Sequence, residues 1–100
     1  MKLVDVKARN EKDFEAIQRK VTAYVKSMKG KCNLGDLRFS SNGGVYYIEL
    51  DNDGELADDL ADFVKKSPNG IVMNATDYKG TYDWTSDTYA RPSSIVTFKF

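Results

Sequence analysis

Two stretches of this chain hold most of the side chains that could do chemistry. The first is acidic, with Glu49, Asp51, Asp53, Glu55, Asp58, Asp59 and Asp62 inside fourteen residues. Carboxylates at this density suit a hard cation, proton exchange, or an anionic surface for a basic partner. A calcium loop fails on spacing, because with Gly54 as its sixth residue the twelfth is Leu60, where a bidentate Glu is required. Proton exchange would need a carboxyl held in an apolar pocket, and no motif marks one. Part of the run is explained by helix chemistry: Asp51, Asp53 and Glu55 precede a helix, whose N-terminus favours negative charge, and Asp58, Asp59 and Asp62 fall on its solvent side. The functional reading is an anionic surface that binds a basic partner or imitates the phosphate spacing of nucleic acid.

The second stretch runs from residue 78 to 89 and interleaves Tyr78, Tyr82, Trp84 and Tyr89 with Gly, Thr and Asp. Tyr and Trp supply wide contact area with little side-chain entropy to lose. Two readings stay open: the rings fold back onto the core, or they form an exposed contact surface. If Tyr82 and Trp84 alternate along a strand, they project to one face.

A basic stripe, Lys12, Arg19 and Lys26 at seven-residue spacing with Lys29 nearby, could meet phosphates, although Glu15 interrupts it. Nucleic-acid binding by such a domain also needs base-stacking aromatics on its sheet. Tyr47 is the only credible platform there, and Glu49 beside it would repel phosphate. Nucleic acid is therefore the alternative partner and another protein the preferred one.

Several chemistries are excluded outright. The chain has no histidine and one cysteine, Cys32, so histidine triads, His or multi-Cys zinc sites and an intramolecular disulfide cannot form. Gly-x-Ser-x-Gly, Walker and Gly-x-Gly-x-x-Gly patterns do not occur. No catalytic residue, metal or cofactor is expected, and an unrecognised small enzyme or ligand-binding regulatory domain is the third reading. Asp5 and Lys7 interrupt the N-terminal apolar residues, so no export signal is expected, and no apolar run approaches the roughly 18 residues of a membrane helix. A reducing, cytoplasmic setting fits the single cysteine. Net charge is zero, yet residues 1–48 carry ten basic against five acidic groups and residues 49–100 the reverse. Such polarity would steer partners or a homodimer.

The elements that must position these groups follow from periodicity. Val4, Val6 and Ala8 alternate with Asp5, Lys7 and Arg9, predicting a first strand over 3–9. Asn10 and Asp13 then resemble a capping box, and Phe14, Ile17, Val21, Tyr24, Val25 and Met28 predict a helix over 11–29. A strand at 37–39, a hairpin turn at 41–44 and a strand at 45–50 come next. A helix over 55–66 is capped by residues 51–54, and strands follow at 71–75 and 94–100. Phe14, Ile17, Val21, Ile48, Leu60 and Phe63 should form the core.

The predicted fold is one α+β domain. A core of residues 1–77 takes the β-α-β-β-α-β order of the ferredoxin-like, split βαβ arrangement, with two helices on one face of an antiparallel sheet, and residues 78–100 add a C-terminal β extension. That architecture hosts many functions. The residues favour a noncatalytic protein-binding module, an inhibitor or regulator of a macromolecular complex, with nucleic-acid-handling machinery as one candidate, acting through acidic and aromatic surfaces. Small size with an acidic run would also suit a virally encoded antagonist.

Overall fold

The computed structural model describes residues 3–28, 36–51 and 55–100, with first-helix side chains described from Ala8 onward. Lys29, Cys32 and Asp53 lie outside the described residues, as do Asn52 and Gly54 of the expected helix cap. The chain is α+β, and its described residues form two helices and an antiparallel sheet.

The first element is a helix, not the expected strand. Helix α1 covers Leu3–Ser27, so the alternation at 3–9 belongs to its opening turns and Asn10 and Asp13 are interior positions rather than a capping box. Asp13 Oδ2 is buried there without a hydrogen-bond partner. Hairpin strands β1 (Leu37–Asn42) and β2 (Val45–Leu50) follow, joined through Gly43 and Gly44, both at positive φ as the tight primed turns require. Helix α2 (Ala57–Lys65) leads to β3 (Ile71–Tyr78), the short strands β4 (Thr81–Asp83) and β5 (Thr88–Ala90), and β6 (Ser93–Lys99). Gly70 packs so closely under the end of α2 that a Cβ would lie 2.8 Å from the Val64 carbonyl oxygen.

The ferredoxin-like order is not observed. The sheet runs β1-β2-β6-β3, all antiparallel, so the last strand fills the slot between β2 and β3 that the expected first strand would have taken. The physical reason is the better fit of β6 to a central position. It brings Val96 and Phe98, both fully buried, in a run rich in β-branched and aromatic residues, whereas the apolar face of the 3–9 alternation holds only Val4, Val6 and Ala8.

Ile48 and Leu50 of β2 and Val96 and Phe98 of β6 meet Ile17, Val21 and Val25 of α1 and Leu60, Ala61 and Val64 of α2 in one core. Four of the six expected core residues are fully buried, while Phe14 and Phe63 pack at its margin. Phe14 contacts the rings of Phe39, Tyr46 and Phe98 at centroid distances of 6.3, 4.6 and 6.0 Å. Both helices thus cover one face of the sheet.

Candidate functional site

The described half of the chain that follows α2 builds a β-arm. The β3–β6 pairing ends with Tyr78 opposite Ser93, and the β4–β5 pairing begins with Thr81 opposite Ala90. These steps keep one register, so β3–β4 and β5–β6 form a single long hairpin whose outer part projects beyond the four-stranded sheet. Pro92, lacking an N–H, interrupts the ladder at the joint. Across the joint, the Tyr89 hydroxyl lies over Gly80, where an added Cβ would be 2.5 Å away. Lys79 and Gly80 therefore form the joint, and the chain reverses at Trp84–Asp87.

That turn is tied by its own side chains. The Asp83 carboxylate accepts from the Thr85 hydroxyl at 2.7 Å, the Thr85 N–H at 3.0 Å and the Ser86 hydroxyl at 3.0 Å. These donors, the Thr85 hydroxyl first, hold its pKa below the usual carboxylate value. Asp87 takes the left-handed conformation that Asp tolerates and accepts from the Tyr82 hydroxyl. That bond to a carboxylate raises the phenol above its ordinary pKa.

Alternation sorts the arm's side chains. Because Asp77 and Ser94 face the helices, Tyr78, Tyr82, Tyr89 and Arg91 lie on the opposite, open face of the sheet. Trp84 joins them, its ring edge-to-face with Tyr82 at 5.0 Å. Tyr78, Tyr82, Trp84 and Tyr89 are 49%, 45%, 86% and 63% exposed, which decides between core and surface in favour of surface. The same face continues onto the sheet through Ile95, Thr97 and Tyr47. The chain's aromatics are thus segregated. All five phenylalanines pack in or against the core, whereas four of six tyrosines from Tyr47 on and the only tryptophan lie on the helix-free side.

A clamp fixes the base of the arm. Asp77 Oδ1 accepts from the Ala57 N–H at 2.9 Å and from the Ser94 hydroxyl at 2.7 Å, while Ser94 Oγ accepts from the Leu56 N–H at 2.9 Å. These bonds satisfy two of the orphan donors at the start of α2, whose own N-cap side chain makes no such bond. Sequence reasoning assigned this cap to residues 51–54. The true partners lie 20 and 38 residues along the chain, and no local motif announces them.

The acidic run is not one surface. Asp51 and Glu49 lie at the sheet end and both pair with Arg38, whereas Glu55, Asp58, Asp59 and Asp62 are exposed on and just before α2, in the helix layer. Asp59 accepts from the Tyr24 hydroxyl at 3.2 Å. A cleft of about 160 Å³ between the helices, lined by Tyr24, Asp59, Asp62, Phe63 and Lys66, is smaller than the roughly 300 Å³ at which ligand pockets begin. Lys12, Arg19 and Lys26 are exposed on α1, and the last two border a 460 Å³ surface depression with Glu15 and Thr22. The aromatic face is therefore separated by the sheet from both the basic stripe and the α2 carboxylates. No three metal-ligating side chains converge among the described residues, and no described helix is long and apolar enough to cross a membrane.

Comparison with protein-family models, curated proteins and solved structures finds no match.

Proposed function

We propose that this chain is a noncatalytic protein-binding module whose contact surface is the aromatic face of the β-arm. The observation that carries this reading is the placement of Tyr78, Tyr82, Trp84 and Tyr89 on one uncovered face. At about 200 Å² per aromatic side chain, those exposures leave about 500 Å² of aromatic surface in water. The largest patch on an ordinary monomer is about 300–600 Å² and is often functional. Every residue from Thr81 to Ala90 is exposed, and a two-stranded ribbon is only marginally stable alone, so docking would also stabilise the arm. Tyr and Trp, with rigid apolar bodies and polar tips, are the residue types that dominate binding energy at protein interfaces.

Nucleic acid fits this geometry less well. Single-strand binding joins stacking rings to phosphate-neutralising cations on one surface. Here Arg91 is the one arm cation on the rings' face, 3.9 Å from the Asp36 carboxylate, and the α1 stripe of Lys12, Arg19 and Lys26 lies on the opposite side of the sheet. The exposed Asp58, Asp59 and Asp62 supply an anionic second surface, which supports an inhibitor or regulator of a larger complex, and the single cysteine fits a cytoplasmic setting.

The test compares stability with binding in the same variants. Trp84→Ala and Tyr82→Ala should change unfolding free energy by no more than about 0.5 kcal/mol while weakening capture of a cross-linked cellular partner by about 2 kcal/mol or more. Asp58→Lys with Asp62→Lys should retain the same partner if the arm dominates. Losses of about 3–5 kcal/mol in stability, or unchanged capture by Trp84→Ala, would refute the arm as the contact surface.

A further inference from the structure

The tip of the arm carries charge of one sign. Residues 80–90 include Asp83 and Asp87 and no Lys or Arg. The arginines of the open face, Arg38 and Arg91, lie at or below the joint and are paired with Glu49, Asp51 and Asp36. The two tip carboxylates are not equivalent. Asp83 is taken up by the turn, accepting from the Thr85 N–H and from the Thr85 and Ser86 hydroxyls, and its register opposite Thr88 puts it on the helix side. Asp87 accepts one bond, from the Tyr82 hydroxyl on the open face, which uses one of a carboxylate's roughly four acceptor sites.

Tyr82 and Trp84 meet edge to face, with ring planes 85° apart and centroids 5.0 Å apart. In such a pair the ring that offers its edge keeps both π-faces open, and the ring that is touched keeps the part of its face beyond that edge. Two open faces therefore meet in a right-angled corner, each carrying the negative side of an aromatic quadrupole. The Asp87 carboxylate stands at the hydroxyl end of the Tyr82 wall. Trp84 is 86% exposed, so the corner opens to solvent, and the three bonds to Asp83 hold the turn in place before any partner arrives.

Two π-faces and a carboxylate converging on one opening suit a cation. Which cation follows from the shape of the site. A lysine ammonium is compact and strongly hydrated, and a corner this open leaves its water in place. A quaternary ammonium sheds water readily but has no N–H for Asp87, and two walls do not enclose it as an aromatic cage does. A guanidinium is planar and weakly hydrated, stacks flat on an aromatic face, and directs its N–H groups outward in its own plane. It alone can lie on a ring of the corner and donate to Asp87 at the same time.

We infer that the tip of the arm takes an arginine side chain from a basic segment of the partner protein, stacked in the Tyr82–Trp84 corner and hydrogen-bonded to Asp87. This rests on the reading of the arm as the contact surface and adds the chemistry of what it contacts. Charge complementarity supports it beyond the corner itself, because residues 49–100 carry ten acidic against five basic groups and would steer a basic segment toward the arm.

The probe is a blocked Gly-Gly-Arg-Gly-Gly peptide, with citrulline, lysine and trimethyl-lysine versions, titrated to about 10 mM into the isotope-labelled full chain at about 0.15 M salt. The arginine peptide should shift the Trp84 indole and the Ser86 to Thr88 amide resonances saturably, with a Kd of about 1–5 mM. The other three should bind about threefold more weakly or worse. Asp87→Asn keeps an oxygen for the Tyr82 hydroxyl and tolerates the left-handed backbone, and it should weaken the arginine peptide about threefold or more. Trp84→Ala should abolish saturation at the tip, with unchanged resonances in the sheet and helices showing that both variants fold. Equal binding of the citrulline or either ammonium peptide, arginine shifts confined to Asp58, Asp59 and Asp62 on α2, or unchanged affinity in folded Asp87→Asn overturns the proposal. Loss of cellular-partner capture in Trp84→Ala without arginine binding at the tip would sink the arginine assignment and leave the arm as the contact surface. Unchanged capture would instead fail the contact surface itself.

Discussion

Asp77→Ala should destabilise the domain far more than an exposed-residue substitution usually does. The carboxylate accepts two hydrogen bonds, from the Ala57 N–H and the Ser94 hydroxyl, and both Ala57 and Ser94 are 1% exposed. Removing it takes away the tertiary cap of α2, a loss of about 1 kcal/mol for a side-chain cap. It also strands a buried N–H, at about 1–3 kcal/mol for a donor that water cannot reach. Asp77 is itself exposed, so water entering the vacated site offsets part of this, and a net loss of about 2 kcal/mol is expected. For a domain of this size that lowers Tm by about 8–16 °C. Asp77→Asn keeps an amide oxygen that can accept from Ala57 and should cost about half as much. Urea melts followed by far-ultraviolet circular dichroism report the loss through the helices, and fluorescence of Trp84, the only tryptophan, reports the arm. If Asp77→Ala melts within about 0.5 kcal/mol of the unmodified protein, the clamp is not what holds α2 to the base of the arm.

Two further outcomes follow from the same geometry. Leu60→Ala, which empties a fully buried site between α2 and the sheet, should cost about 2–5 kcal/mol in a denaturant melt. The arm's turn should respond to acid. Asp83 has a folded pKa below its reference of 3.8, so its contribution is present above that value and is lost as pH falls through the lower folded value. Tyr82, raised above 10.0, acts in the opposite direction: its contribution is present below pH 10 and is lost as pH rises through the raised value. Trp84 emission should therefore be flat across neutral pH and change only at these two extremes, and a transition between pH 5 and 8 would contradict the assignment.

Elements whose signals lie between near neighbours were legible in the chain alone. The Phe14–Ile17–Val21 spacing gave the body of α1, the Gly43-Gly44 pair gave the β1–β2 turn, and the Leu60–Val64 stripe gave α2, because helical period and positive φ are properties of neighbouring residues. The sequence also marked the aromatic segment, though not which side of the molecule its rings would take. Three matters were decided only by tertiary structure. Residues 3–9 alternate well enough for a strand, but a strand needs a vacant slot, and β6 with Val96 and Phe98 takes that slot. The start of α2 is capped by Asp77 and Ser94, whose nearness to Leu56 and Ala57 exists only once β3 and β6 have paired. The acidic run, continuous in sequence, is divided between the sheet end and the outer side of α2, while Tyr78, Tyr82, Trp84 and Tyr89 are gathered on one face. Face membership depends on strand register. Register is set by pairing between residues far apart in the chain, so adjacency in sequence could not reveal it.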